Sequence, residues 1–118
     1  MKFYYKDKLV RTSKTHEYRY AIVKRADIES NADKIKPFAC SKDMQGIESN
    51  LSYLSKELRM YEEVKKGTYK PPTRRGFKYY TAKQIEANAI EWYGSLDEAI
   101  QEQKEFFEQW VVVELESK

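Results

Sequence analysis

The chain has 118 residues, a length that leads one to expect a single domain with one core rather than two independent cores. Charged residues make up 35% of it, yet ten Tyr, five Phe and two Trp argue against disorder, because disordered chains are poor in aromatics. One Cys and one His exclude an internal disulfide and the usual Cys/His zinc sites, and a net charge of +3 is too small to define a partner.

Lys2 to Lys6 is a short aromatic run that reads as a strand. Asp7-Lys8 is the expected tight turn, and Leu9 to Thr12 is the returning strand of a hairpin. Charges interrupt Met1 to Lys8 too early for a signal-peptide apolar region. No apolar run approaches the roughly 20 residues of a membrane span. A cytoplasmic protein with no membrane partner is therefore expected. Ser13 to Glu17 reads as a polar loop. Tyr18 to Val23 is the strongest strand, with Tyr18, Tyr20 and Ile22 assigned to the core face.

Arg25 to Lys36 has no clear period and reads as a surface loop with one helical turn, stopped by Pro37. Phe38-Ala39-Cys40 reads as a short strand feeding a helix over residues 42–66. In that helix Met44, Ile47, Leu51, Leu54, Leu58 and Tyr61 recur at steps of three and four. Ser41 is the expected cap and Gly67 the stop.

Pro71 and Pro72 bar helix and central strand, so residues 67–76 form an exposed connector, and Phe77 to Tyr80 reads as a strand. Thr81-Ala82-Lys83-Gln84 matches a capping box. Ala82, Ile85, Ala89 and Trp92 then share a helical face, but Ile90 to Tyr93 also suits a strand, and residues 82–93 stay open between the two. Ser95 to Glu98 is a second capping box. It opens a helix whose apolar face runs through Leu96, Ala99, Ile100, Gln103, Phe106, Phe107 and Trp110. Val111 to Leu115 reads as a terminal interior strand. Together these elements imply one α+β domain over 1–118. It is a small, mainly antiparallel sheet with one long helix and one or two shorter helices on one face.

Few residues suggest chemistry. Cys40 precedes a helix start, where the dipole lowers a thiol pKa. His16 is the available base, and Glu17 or Asp43 could orient it, which leaves a Cys40-dependent enzyme as one alternative. A structural cysteine at a strand end explains the same residue more simply. Ser13-Lys14-Thr15-His16 groups hydroxyls and cations but lacks phosphate-cradling glycines. Glu98, Glu102 and Glu105 share a helix face with no histidine, as a solvated face does. No catalytic residue, metal ligand or cofactor is assigned.

Charge is more informative. Residues 64–83 carry Lys65, Lys66, Lys70, Arg74, Arg75, Lys78 and Lys83 with no acid, and nine acids follow in residues 84–118. Lys65, Lys66, Tyr69, Lys70, Arg74, Arg75, Lys78 and Tyr79 form the candidate partner-binding segment. Its cations would neutralise acidic groups, its rings would stack, and its prolines would hold it extended. A solvated connector anchored by Phe77 and a Tyr explains the same segment without a partner. A protein partner is the first expectation. Direct nucleic-acid binding through residues 65–80 is the second, and self-association through a strand edge or Val111 to Val113 is compatible with either.

Tyr4-Tyr5-Lys6-Asp7-Lys8-Leu9-Val10-Arg11-Thr12-Ser13-Lys14, followed by Tyr18-Arg19-Tyr20-Ala21-Ile22-Val23, resembles the start of small uncharacterised accessory proteins of Gram-positive bacteria and their phages. The resemblance covers the first two dozen or so residues and transfers no functional residue. It implies stoichiometric binding, such as inhibition or adaptation of a host protein, rather than catalysis.

Overall fold

The computed structural model describes residues 1–118. Within the span expected to form one domain, contacts gather into two compact units, Met1–Leu54 with Glu108–Lys118, and Ser55–Phe107. The fold class is α+β, with two small antiparallel sheets where one was expected.

In the first unit, β1 (Lys2–Tyr5) and β2 (Lys8–Thr12) form the N-terminal hairpin. Tyr5 lies opposite Lys8, so the turn is Lys6-Asp7, one residue earlier than expected. Both turn residues have positive φ, 45° and 64°, as the primed hairpin turn requires. Asp tolerates this backbone well, which explains its place in the turn. β6 (Glu116–Ser117) completes this sheet in the order β2-β1-β6.

The second sheet has the order β4-β3-β5, with β3 (Tyr20–Lys24) between β4 (Ala39–Ser41) and β5 (Trp110–Glu114). The strongest strand starts at Tyr20 rather than Tyr18, and its core face differs from the expected one. Ala21, Ile22 and Val23 are all fully buried, whereas Tyr18 and Tyr20 are half-buried. A central strand is covered on both faces, so alternation no longer marks its core side. Ala21 and Val23 pack with Phe3, Val10, Ile35, Val113 and Leu115 between the two sheets. Ile22 points the other way, and α2 (Met44–Leu54) lies against β3 and β4. Truncating Ile22 to Ala would cost about 3 kcal/mol at such a site. β5 is an edge strand and not the interior strand that its valines suggested.

Residues 25–36 contain one short helix, α1 (Arg25–Glu29), as expected of that stretch. The loop after it is no mere surface segment. Leu9 N–H donates to Asp33 O and Ile35 N–H to Leu9 O, which pins Ile35 in the core at 3% exposure.

The helix expected over 42–66 is two helices, α2 and α3 (Lys56–Lys66), parted at Ser55, where φ is −93° and ψ is 3°. The apolar stripe is continuous in sequence but serves two cores. Ile47 and Leu54 are buried in the first unit; Leu58 and Tyr61 join the core of the second. Asp43 rather than Ser41 caps α2, since its Oδ1 accepts from Gly46 N–H at 2.9 Å. Gly67 ends α3 in the left-handed region, with its N–H on Val64 O and that of Thr68 on Glu63 O.

In the second unit, residues 82–93 resolve as a helix, α4 (Ala82–Tyr93). The capping box decides this locally. Thr81 Oγ1 accepts from Gln84 N–H and Gln84 Oε1 accepts from Thr81 N–H, at 3.2 and 2.8 Å. α5 (Leu96–Glu108) starts at Ser95, whose Oγ accepts from Glu98 N–H. Tyr61, Ile85, Ala89, Ala99 and Ile100 form the core, with Tyr61 edge-on to Tyr93 at 6.1 Å. Two residues of the expected helical faces point out instead: Trp92 is 63% exposed and Phe106 43%. The strand expected at Phe77 to Tyr80 is absent. Phe77 only closes a turn onto Arg74 through Gly76, because no strand lies beside it to pair with.

Candidate functional site

The second unit carries an open groove of about 610 Å³, a volume typical of ligand and peptide sites. α3 supplies one wall with Lys56, Arg59, Met60 and Glu63, which recur at helical steps of three and four, together with Glu57 and Tyr61. α4 supplies a second wall with Ile85, Asn88 and Trp92, again one helical face. The connector contributes Tyr69, Lys70, Pro72, Tyr79 and Tyr80.

Five aromatic side chains therefore meet at this groove: Tyr61, Tyr69, Tyr79, Tyr80 and Trp92. Trp92 and Tyr80 stay more than half exposed, so their faces are open to a partner. The charges around them have both signs, with Lys56, Arg59 and Lys70 beside Glu57 and Glu63. Burial pushes the Tyr61 hydroxyl above its ordinary pKa, helped by the neighbouring Tyr93 and Glu57. Tyr69 is raised in the same way, by burial first and then by Glu63. Both phenols stay protonated at neutral pH, and that of Tyr61 is engaged with Tyr93.

Of the eight residues singled out in the sequence, Tyr69, Lys70 and Tyr79 line this groove. The others do not. Lys65 pairs with Asp97 at 2.6 Å on an exposed surface, and Arg74 stacks on Phe77 at 4.6 Å within its own turn. Lys66, Arg75 and Lys78 are exposed and lie outside the lining. Sequence reasoning missed Lys56, Arg59, Asn88 and Trp92. The signal for them was present as the polar side of α3 and the outer side of α4. Only the packing of the two helices against the connector shows that those sides converge.

The other candidates are placed elsewhere. Cys40 lies in β4, half-buried against the inter-sheet core, and burial raises its thiol pKa against the opposing charge and hydrogen bond of Arg11. This is the reverse of the helix-dipole effect expected for a nucleophile. His16 is engaged with Thr15 Oγ1 and stacks on Tyr18 at 5.9 Å, so the structure assembles no Cys40–His16 pair. Ser13 Oγ accepts from the N–H groups of Thr15 and His16, making a local turn of the polar loop. Glu105 accepts from Gln101 along the exposed face of α5. No group of three or more His, Cys, Asp or Glu side chains stands close enough to hold a metal ion. No helix is long and apolar enough to cross a membrane.

Comparison with family models, with curated proteins and with solved structures gives no match to this chain.

Proposed function

We propose that this chain is a non-enzymatic protein-binding module, an inhibitor or adaptor of the kind mobile elements direct at a host protein. It would hold a segment of its partner in the groove between α3, α4 and the connector. The observation that supports this reading is the convergence of five aromatic rings on one open groove with charges of both signs at its rim. Rings of Tyr and Trp supply large contact area at small entropic cost and dominate protein interfaces. Lys56, Arg59 and Lys70 beside Glu57 and Glu63 fit a segment in which an aromatic or aliphatic side chain is flanked by both acids and bases.

Nucleic acid is the second reading, supported by the exposed cations Lys66, Arg75 and Lys78 next to stacking rings. Glu57 and Glu63 weigh against it at the groove itself, where they would repel phosphates.

One pair of experiments separates the readings. Peptides selected from a random display library on the intact chain are expected to lose at least tenfold in affinity for Trp92→Ala/Tyr80→Ala. Equal affinity for the double variant would remove the groove as the contact. A mobility shift with mixed single- and double-stranded nucleic acid, titrated with salt, tests the second reading. Binding that falls steeply with salt and disappears in Arg74→Glu/Arg75→Glu would make nucleic acid the partner.

A further inference from the structure

The groove between α3, α4 and the connector limits the backbone conformation of its occupant. The unit that carries it has helices and no strand, so the groove offers no sheet edge to an added strand. A helical occupant also fits poorly. It needs pockets for aliphatic anchors, and apart from Pro72 the aliphatic side chains of the lining are Met60 and Ile85, beside five aromatic rings. A helix also bonds its own carbonyls internally, which leaves the polar ends of those rings without a peptide acceptor. Tyr79, Tyr80 and Trp92 are exposed, and each carries an O–H or N–H donor. Asn88, one turn before Trp92 on α4, adds an amide donor.

A polyproline II segment meets both demands. Its carbonyls have no internal partner and stay free to accept from such donors. Its pyrrolidine rings are apolar and its backbone is already extended, so it lies on Tyr and Trp rings at a small ordering cost.

The charges of the groove complement the same conformation. Glu63 follows Lys56 on the same face of α3, about 10 Å further along the axis. In polyproline II every third residue returns to the same edge, after about 9 Å. An acid and a base three positions apart therefore reach Lys56 and Glu63 from one edge of the segment. The two residues between them then turn toward α4 and the connector. Of the other charges, Arg59 follows Lys56 on the same face, Glu57 neighbours Tyr61, and Lys70 belongs to the connector.

We infer, on the reading of this groove as a protein-binding site, that its ligand is a proline-rich segment of the partner in the polyproline II conformation, with the pattern acid-Pro-Pro-base. The prolines lie on the rings of Tyr79, Tyr80 and Trp92, the acid meets Lys56 and the base meets Glu63.

A fluorescein-labelled peptide with the core Asp-Pro-Pro-Arg, titrated with the full chain and followed by anisotropy, tests this. Saturable binding is expected. It should weaken at least tenfold for the core Asp-Ala-Ala-Arg, and at least tenfold for Trp92→Ala/Tyr80→Ala. Glu63 is exposed, so Glu63→Lys should keep the circular dichroism spectrum of the wild type. This variant is expected to lose at least tenfold for the Asp-Pro-Pro-Arg peptide and to bind the core Asp-Pro-Pro-Asp more tightly than the wild type does. No binding of the Asp-Pro-Pro-Arg peptide up to millimolar concentration would overturn the inference. So would binding that is indifferent to the prolines or to Glu63→Lys. The peptides selected from the random library separate this failure from that of the groove. Selected peptides that lack proline but lose affinity in Trp92→Ala/Tyr80→Ala would refute the conformation and leave the groove as the contact. Selected peptides indifferent to that variant would overturn both.

Discussion

Gly46 offers a sharp test of how α2 is joined to β4. In an ordinary helix, Gly→Ala stabilises by about 1 kcal/mol. Here the new Cβ would overlap Ser41 Oγ and stand 3.0 Å from Ser41 Cβ. Ser41 Oγ accepts from Asp43 N–H at 3.3 Å, and Asp43 in turn caps the helix on Gly46 N–H. Turning Ser41 away forfeits about 1 kcal/mol of hydrogen bonding, and the close Cβ contact adds about 1 kcal/mol of overpacking. Gly46→Ala is thus expected to destabilise by about 1 kcal/mol net. In a Ser41→Gly background the obstacle is gone, and the same change is expected to stabilise by about 1 kcal/mol. The coupling between the two sites is then about 2 kcal/mol. Urea unfolding of the four proteins, with hydrogen exchange of the α2 amides as a local readout, measures it. If Gly46→Ala stabilises equally in both backgrounds, the Ser41 contact has no force and the account of this junction is wrong.

Thr81→Ala removes the capping box of α4 and is expected to cost about 1 kcal/mol, seen as faster hydrogen exchange in its first turn. Lys65→Ala breaks the pair with Asp97, but both side chains are exposed, so a change under about 0.5 kcal/mol is expected in thermal unfolding. Cys40 should alkylate slowly at neutral pH, because burial holds its thiol protonated; a rate matching that of the unfolded chain would contradict this placement. The native state also binds that proton more tightly than the unfolded chain. Its contribution to stability is therefore complete below the ordinary thiol pKa and lost as pH rises through the native one. The alkaline decline in urea midpoint should be shallower in Cys40→Ala.

Of the candidate site, the sequence disclosed the connector but not the groove. Tyr69, Lys70 and Tyr79 were legible because basic and aromatic residues interleave beside prolines. Lys56 and Arg59 were not, because each is an ordinary exposed residue of its own helix, and Trp92 was not, because its spacing from Ile85 and Ala89 places it on the apolar face of α4. Charge alone points to Lys65 and Arg74 as partner contacts, whereas their ties to Asp97 and Phe77 depend on where α5 and the Gly76 turn lie.

The features determined by the sequence alone are those made within a few residues. The hairpin, the α4 capping box, the Ser95 cap of α5, the Gly67 stop and the helical period of 44–61 depend on local hydrogen bonds and on side-chain spacing, which the chain carries wherever it folds. Tertiary structure decided which sides of those elements are covered. It buried both faces of β3, drew Ile35 into the core, left Trp92 open, divided one apolar stripe between two cores and made β5 an edge. Burial is a property of pairs of surfaces, and one of each pair comes from a distant part of the chain, so no local pattern can encode it.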